Sequence, residues 1–367
     1  MGIHIAFLVL LFIVYYFTGG VNSEHNPLIR KRQVTWMGIL MFLFAALRSP
    51  VVGVDLLGYE NGEAGYWLDY SQVAQMSFGE VLVNRAGRDP VFYCFLKLLS
   101  YVSDSPQLML VVIGGIFAFG FSYFVYHTKG NVLLSYMMLI GFRIFSFSLS
   151  GIRQTIAMGL IFIAYICLRD KRYVWYVILT LIASAFHTSA LVFFVSFPLI
   201  FARSRIVFGG LLLLLLLNFS TGGLIVNYLA SVFYSGRFDN YLARSVGMEF
   251  EGGATFFIYI ILYFLILLSY HSIRINDSTF SKEFNIMSMG IFFSTIGQSM
   301  DNVFRIAYYF IFLLFPATSQ MIAVLVNNKR AYSLICSVLS IMLAIQYILL
   351  GTGAGTDHYE FIWNYHF

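Results

Sequence analysis

Charged residues are scarce in this 367-residue sequence, and hydrophobic residues are abundant. Only 11% of the residues are Asp, Glu, Lys or Arg and 60% are hydrophobic, whereas a soluble domain has about 25% charged and roughly 45–50% apolar residues. An apolar surface of this size must face lipid, and one helical span uses about 20 residues. The sequence therefore predicts an all-α, polytopic integral membrane protein with about 12 transmembrane helices.

Cysteines and the usual catalytic signatures are also lacking. The three cysteines lie far apart without a C-x-x-C spacing, so neither a zinc site nor a disulfide framework is indicated. The sequence has no D-x-D, G-x-x-x-x-G-K-[ST], H-E-x-x-H or G-x-S-x-G motif. Metal-held nucleotide sugars, NTP hydrolysis, zinc proteolysis and serine acyl transfer thus lack their usual signatures. No repeat or linker divides the chain, so residues 1–367 are interpreted as a single transmembrane domain.

The distribution of basic residues predicts which side of the membrane each loop faces. Most of them fall in short loops on one side of the predicted spans, and the positive-inside rule makes that side cytoplasmic. Three polar segments then lie outside, at about 51–106, about 221–254 and in the tail 351–367. The first contains AGYWLDYSQVAQM and DPVFYCFLKLLSYV, apolar stretches with aromatic edges that are typical of short helices lying in the membrane interface.

The basic residues on the outer side are almost all arginine. A guanidinium group is a planar fork that pairs bidentately with phosphate, so this excess favours an anion site. Apart from Lys97, the basic residues on the outer side are Arg48, Arg85, Arg88, Arg143, Arg153, Arg237, Arg244 and Arg305.

The segment LSGIRQTIAMGL places Arg153 and Gln154 at the outer mouth of a span, directly after a Ser/Gly break. A guanidinium group at that depth is costly unless it is paired. One interpretation is an arginine that snorkels from a helix end. The other is an anion site, which Arg143 favours because it brings a second cation from the preceding span.

His187 lies in LIASAFHTSALVFF, among small residues and within a run long enough for two short spans. Small residues let membrane helices pack closely. His187 is either a hydrogen-bonded residue at a helix turn or a group that exchanges a proton or a hydrogen bond with substrate. Its position alone does not decide between these two roles.

Arg305 follows Asp301 by four residues at the start of a span. An intrahelical ion pair explains both residues. Alternatively, Asp301 holds Arg305 in the cavity that receives Arg153.

Two further segments of the outer side carry candidate ligands. Arg48 closes the second span ahead of Asp55 and Tyr59, where an ion pair and an aromatic anchor are the plainer alternative. Arg88 and Asp89 precede a helix that starts with proline. Because these groups face away from cytosolic nucleotide donors, the activated substrate of an enzyme here must arrive attached to a lipid. A lipid diphosphate fits an arginine-rich cavity beside hydrocarbon.

In their order along the chain, several of these segments resemble the EpsG family of Wzy-type polymerases, which join the repeat units of O-antigen, capsule and exopolysaccharide. The ordered string covers most of the chain, and GIRQ…FHTSA is its most specific part. The segments are Arg48 … Gly53-Val54-Asp55 … Tyr59, DPVFYCFLKLLS (89–100), GIRQTIA (151–157), ASAFHTSAL (183–191) and Arg305 before a Tyr-Tyr pair.

The resemblance implies a GT-C-like membrane glycosyltransferase at the periplasmic face of the bacterial inner membrane. It implies transfer of the growing glycan from undecaprenyl diphosphate to the nonreducing end of a new lipid-linked repeat unit, without metal, nucleotide or other cofactor. The expected partners are the undecaprenyl-diphosphate-linked oligosaccharide and the lipid bilayer, with a chain-length regulator and a flippase as candidates. No nucleic acid is expected.

A diphosphate is already a good leaving group, so preorganised arginines rather than a protonating acid would stabilise its charge. On this basis we predict a catalytic set in which His187 or Asp55 helps to deprotonate the acceptor hydroxyl, beside Arg153 and Arg305. The predicted diphosphate ligands are Arg48, Arg143, Arg153, Gln154 and Arg305. The predicted glycan contacts are Tyr59, Arg88, Asp89, Arg237 and Arg244.

Two other classes of protein stay open. A flippase or transporter for lipid-linked oligosaccharide also has a dozen spans and intramembrane arginines, but its cations should line a path through both leaflets. A membrane O-acyltransferase of the same polysaccharide could use one buried histidine, although a cytosolic acyl donor would have to reach that residue.

Overall fold

Long apolar runs with few breaking residues fold as helices in this chain. The computed structural model describes residues 1–24, 26–58, 65–85, 89–220, 253–297, 301–326, 328–351 and 353–365. Throughout that part of the chain the regular secondary structure is helical, which confirms the predicted all-α class. Local signals set several helix starts. Asn26 caps one helix by accepting from two backbone amides, and Pro90 occupies the first turn of another.

Internal contacts divide the chain into two compact units, Met1–His187 with Cys336–Phe367 and Thr188–Ile335. The first unit contains α1 (Gly2–Phe17), α2 (Pro27–Ala46), α3 (Val54–Leu57), α4 (Tyr66–Gln75), α5 (Phe78–Arg85), α6 (Pro90–Ser100), α7 (Gln107–His127), α8 (Val132–Gly141), α9 (Ile144–Ser150), α10 (Ile152–Arg169) and α11 (Tyr173–Phe186). The second contains α12 (Ser196–Leu199), α13 (Ser204–Ser220), α14 (Gly253–Leu268), α15 (Tyr270–Asn276), α16 (Phe280–Ile296), α17 (Asp301–Phe304), α18 (Tyr308–Ile311) and α19 (Leu314–Leu325). Helix α20 (Lys329–Leu349) begins in the second unit and ends in the first, and short 3-10 helices occupy Gly20–Glu24, Thr188–Val195, Arg305–Ala307 and Ile362–Asn364.

Three helices, α7, α10 and α20, are long and apolar enough to cross a bilayer. Three further pairs pass the same test when joined across a bend: α8 with α9 at 57°, Thr255–Leu268 with α15 at 64°, and Arg305–Ile311 with α19 at 45°. By length and composition, the described residues therefore provide three to six spans. Shorter apolar helices occur at Gly2–Phe17, Pro90–Ser100, Tyr173–Phe186, Thr188–Leu199 and Ser204–Asn218. The number of about 12 spans stays a prediction.

Glycine permits close helix packing in the first unit, where α7 lies against α2 and α10. A β-carbon on Gly120 of α7 would stand 2.1 Å from the carbonyl oxygen of Gly159 on α10. Helix α10 also packs along α11, to which it is joined by a short turn. Two helices joined in this way run antiparallel. The start of α10 and the end of α11 therefore lie at the same end of the hairpin.

The first predicted outer segment folds as the short helices α3 to α6, which share a hydrophobic core. Two of them, α4 and α6, are the two stretches that the sequence predicts to be helical, while α3 and α5 were not anticipated. Their core continues into the first turns of α7 and α10. It comprises Leu56, Trp67, Tyr70, Val73, Val81, Phe92, Tyr93, Leu96, Met109, Leu110, Ile113, Ile152 and Ile156. This packing fixes α4 and α6 beside the start of α10.

The tail after α20 returns to the end of α2. The Ser49 amide donates to the Glu360 carbonyl at 2.8 Å, and the Ile362 amide donates to the Leu47 carbonyl at 2.9 Å. The Gly53 amide also donates to the Gly355 carbonyl at 3.1 Å. The tail therefore holds the loop that leads into α3.

Candidate functional site

Arg153 is the second residue of α10, and its half-buried side chain has polar partners on two other elements of the first unit. Its Nε donates a hydrogen bond to the Tyr66 hydroxyl oxygen at 2.8 Å, and a terminal nitrogen of the guanidinium group pairs with the carboxylate of Asp89. The guanidinium carbon also lies 5.9 Å from the centre of the Tyr66 ring. These contacts offset the cost of placing a cation at the start of an apolar helix.

Tyr66, the first residue of α4, holds one edge of this guanidinium group. Its ring packs edge-on against Phe92, with the ring centres 5.2 Å apart. Burial raises the pKa of Tyr66 to about 12, so the hydroxyl stays protonated at neutral pH. Tyr66 is not among the predicted site residues, because it lies in an aromatic stretch interpreted as an interfacial helix. Nothing in that stretch distinguishes it from Tyr70, whose hydroxyl donates to a backbone carbonyl instead.

A second ion pair braces the helices that carry Tyr66 and Asp89. A terminal guanidinium nitrogen of Arg85, at the end of α5, lies 3.2 Å from a carboxylate oxygen of Asp69 on α4. The Tyr93 hydroxyl of α6 donates to the other oxygen of Asp69 at 2.9 Å, and the Arg85 guanidinium carbon lies 5.2 Å from the centre of the Tyr93 ring. Because all three helices contribute, the ion pair keeps them in a fixed arrangement.

Asp55 lies close to Tyr66, and His187 lies at the end of the α10–α11 hairpin at which Arg153 lies. Asp55, on α3, is close enough to Tyr66 that its negative charge contributes to the raised pKa of the Tyr66 phenol, after the larger effect of burial. His187 ends α11, and its backbone amide donates to the Ala183 carbonyl at 2.9 Å. The preceding Phe186 packs edge-on against Phe95 of α6 at 5.4 Å. The first unit therefore gathers Asp55, Asp89 and Arg153 around Tyr66, with His187 at the same end of the α10–α11 hairpin.

Arg48, a predicted diphosphate ligand, occupies a different environment. It is only 1% exposed, and its guanidinium group donates to the carbonyl oxygens of Ala45 and Leu149, the latter at 3.1 Å. Its backbone also bridges to Phe361 of the tail. The structure thus places Arg48 inside the protein, where it joins α2, the end of α9 and the tail.

Arg143 and Gln154 complete the predicted diphosphate set within the first unit. Arg143 occupies the bend between α8 and α9 in a left-handed conformation, with φ of 60°. Its guanidinium group donates to the Leu350 carbonyl, at the end of the chain's last long helix. Gln154 is buried beside Arg153 and only 4% exposed. This contact ties Arg143 to the end of α20, whereas the contacts of Arg153 tie it to α4 and to the residue before α6.

This geometry suits an anion site at Arg153. One edge of the guanidinium group is fixed by a neutral phenol, and the other already binds an oxyanion, the carboxylate of Asp89. Its side chain is 23% exposed and therefore accessible to a ligand. The sequence model of the EpsG family matches residues 31–367, nearly the whole chain.

The chain belongs to the EpsG family. This is the family of Wzy-type polymerases of exopolysaccharide, so the resemblance found in the sequence is confirmed. No curated protein and no solved structure matches the chain. EpsG membership and the apolar helices together identify a membrane protein of polysaccharide biosynthesis.

Two segments of the EpsG resemblance meet within the second unit. The 3-10 helix Thr188–Val195, which continues the FHTSA segment, packs against the 3-10 helix Arg305–Ala307. Ser189 and Tyr309, both buried, place their hydroxyl oxygens 3.3 Å apart. Arg305 itself is half-buried at the start of its 3-10 helix.

The remaining predicted residues of the EpsG chain cannot be placed in this geometry. Four predicted glycan contacts lie outside the described residues: Tyr59, Arg88, Arg237 and Arg244. Of that group, the structure places Asp89 alone, and it places Asp89 on Arg153.

Proposed function

We propose that this EpsG-family chain is a Wzy-type polymerase of lipid-linked oligosaccharide repeat units. In this proposal it is a GT-C-like protein of about 12 spans in the bacterial inner membrane, with its site facing the periplasm. The growing glycan leaves undecaprenyl diphosphate and joins the nonreducing end of the next lipid-linked repeat unit. The observation that carries the proposal is the family match over residues 31–367, because no side-chain geometry by itself specifies a glycan.

Arg153 is the proposed diphosphate ligand with the strongest structural support. A guanidinium group pairs bidentately with phosphate oxygens, and such charge-assisted hydrogen bonds are stronger than neutral ones. Tyr66 and the packed helices behind it hold the guanidinium group in place before substrate arrives. Fixed positive charge stabilises a developing anion without the cost of reorganisation during the reaction.

The proposed reaction breaks the bond between the anomeric carbon of the donor glycan and a diphosphate oxygen. The diphosphate leaves with the bonding electron pair, and its added negative charge is stabilised by arginine. The acceptor hydroxyl oxygen forms the new bond to the anomeric carbon and loses its proton to a base. Neither a metal ion nor a nucleotide takes part in this proposal.

The structural support for the other predicted diphosphate ligands differs from residue to residue. Arg48 is left out of the diphosphate site because its guanidinium group is enclosed and donates to two backbone carbonyls. Arg143 and Gln154 remain proposed on their positions in the sequence. Arg305, in the second unit, also remains proposed on the sequence alone and is tested by its own variant.

A gene deletion complemented with single variants tests the function. Display of the lipid-linked surface polysaccharide on a gel should give a ladder for the wild type and a single-repeat product for the deletion, Arg153→Ala and Arg305→Ala. The matched control is Arg172→Ala, since Arg172 is an exposed arginine at the opposite end of α10. That variant should keep the full ladder.

Other gel patterns contradict a polymerase. Loss of all surface polysaccharide, with lipid-linked units accumulating inside the cell, indicates a flippase. An unchanged ladder that lacks acyl groups indicates an acyltransferase. Long chains in both arginine variants, at normal protein abundance, would reject the diphosphate site while leaving the family assignment intact.

A further inference from the structure

Asp89 directly precedes α6, at the position where an aspartate side chain usually caps a helix by accepting from first-turn amides. Within this described helix its side chain accepts no such hydrogen bond. The carboxylate turns instead to the guanidinium group of Arg153.

The two arginine–aspartate pairs around this site differ in accessibility. In the bracing pair, the side chains of Arg85 and Asp69 are 16% and 6% exposed, and Asp69 also accepts a hydrogen bond from Tyr93. In the other pair, the side chains of Arg153 and Asp89 are 23% and 26% exposed. The two carboxylates therefore differ most: Asp69 is enclosed between helices, whereas Asp89 is open to exchange with a ligand.

The Arg153 guanidinium group is also held so that only one of its edges can change partner. Its Nε donates to Tyr66, whose ring is fixed against Phe92, and this contact does not involve Asp89. The terminal nitrogen that binds Asp89 is the group that a phosphate oxygen would take. A phosphate oxygen bound to that nitrogen would take the place that the Asp89 carboxylate holds here.

We propose that the Asp89 carboxylate is paired with the Arg153 guanidinium group in the resting protein and is displaced from it by the lipid diphosphate. The displaced Asp89 then acts as the base that takes the proton of the acceptor hydroxyl. The proposal rests on the polymerase function given above. A diphosphate carries more negative charge than one carboxylate and can accept from both nitrogens of the guanidinium edge, so it competes effectively for Arg153. A carboxylate that loses its cationic partner binds a proton more readily.

The bonds formed and broken in the proposed transfer, and the path of the proton, are as follows. The acceptor oxygen bonds to the anomeric carbon as the bond from that carbon to the diphosphate oxygen breaks. The diphosphate takes the electron pair and remains on Arg153, and the hydroxyl proton passes to a carboxylate oxygen of Asp89. Departure of undecaprenyl diphosphate frees Arg153, and Asp89 then returns its proton to water and re-forms the ion pair.

Binding and polymerisation measured on the same variants test this assignment. The binding experiment uses radiolabelled undecaprenyl diphosphate and the purified full-length protein in detergent. Asp89→Asn removes the competing charge, so it should bind the probe several-fold more tightly than the wild type, and unchanged binding would contradict the displacement. Its polymerisation rate should fall by about 10²–10⁴-fold, which is the usual contribution of a general base. Arg153→Ala should weaken binding by about ten- to hundredfold, the loss of one or two charge-assisted hydrogen bonds.

A structural role for Asp89 predicts the opposite sign. If the carboxylate only held Arg153 in place, Asp89→Asn would weaken binding, and that result overturns the proposal, as does a normal ladder from Asp89→Asn. Asp89→Glu keeps the carboxylate and should recover part of the polymerisation. This recovery would show that the loss in Asp89→Asn comes from the missing carboxylate and not from misfolding. Asp170→Asn, in an exposed arginine–aspartate pair at the other end of α10, should behave as the wild type in both assays. A wild type that makes no ladder overturns the polymerase function itself, which is a separate outcome.

Discussion

Gly120 of α7 and Gly159 of α10 bring two helix backbones into direct contact, because a β-carbon on Gly120 would stand 2.1 Å from the Gly159 carbonyl oxygen. Real β-carbons do not approach an oxygen so closely, so any larger residue must push α7 and α10 apart. Arg153 lies less than two turns before Gly159 on α10. The contact therefore sets the position of the helix that carries the candidate site.

Gly120→Ala should destabilise the protein although alanine is the better helix former by about 1 kcal/mol. Overpacking in a well-packed core costs about 1–3 kcal/mol, and the oxygen at Gly159 belongs to helix backbone that cannot rotate away. The thermal midpoint of the purified protein in detergent should fall. Polymerisation should fall further than stability alone explains, since small displacements of a reacting group reduce the rate steeply.

Gly115→Ala, on the same helix, is the matched control. A β-carbon there would lie 3.6 Å from the Phe42 side chain, an ordinary contact. Its thermal midpoint should equal or exceed that of the wild type. Equal midpoints for the two alanine variants would show that α7 and α10 are not in backbone contact at Gly120.

Arg48→Ala should lower the stability of the protein rather than only its affinity for diphosphate. The substitution removes the buried donor to the Ala45 and Leu149 carbonyls, and hydrogen bonds to charged groups contribute about 1.5–3 kcal/mol. Arg153→Ala, in a partly exposed pair, should leave the thermal midpoint nearly unchanged. The measurement is thermal unfolding of both variants beside binding of undecaprenyl diphosphate. An Arg48→Ala protein of normal stability that fails to bind the probe would restore Arg48 as a ligand.

The helical fold was predictable from the sequence because its signals are local. Apolar runs identify the helices, Pro90 identifies the start of α6, and the polar break at His187 identifies the end of α11. Each of these signals depends on neighbouring residues, so one sequence is enough to find it. The family resemblance was also predictable, since the order of short motifs does not depend on their distances in space.

The partners of individual arginines were not predictable, because they are set by packing between distant segments. Arg153 meets Tyr66 across 87 positions of the chain, through a hydrophobic core that only the folded helices create. Arg48 is enclosed by a tail that returns from the far end of the sequence. Both arginines look alike in the sequence, and only the structure separates an accessible cation from a buried one.

Ser189 and Tyr309 should show a measurable coupling in the second unit. Their hydroxyl oxygens lie 3.3 Å apart in buried surroundings, which fits one hydrogen bond worth about 0.5–1.5 kcal/mol. A double-mutant cycle with Ser189→Ala, Tyr309→Phe and both together measures that coupling as a change in the free energy of unfolding. Additive effects of the two substitutions would show that the pair does not interact.

Asp104 and Lys171 should face opposite sides of the membrane. Both are exposed, and between them the chain forms α7, the bent pair α8–α9 and α10. If the bent pair is one broken span, three crossings separate the two positions. If it is a re-entrant loop, only two crossings do, and both positions face the same side. The basic turn around Lys171 is predicted to be cytoplasmic by the positive-inside rule.

A cysteine-free background decides between these two topologies, since Cys94, Cys167 and Cys336 are all free thiols. Asp104→Cys should react with a membrane-impermeant maleimide in intact cells, and Lys171→Cys should react only after the membrane is opened. Complete reaction of both variants after solubilisation serves as the control for thiol reactivity. Reaction of both in intact cells would make α8–α9 a re-entrant loop, and the bend at Arg143 would then lie at the tip of a hairpin within the membrane rather than within a span.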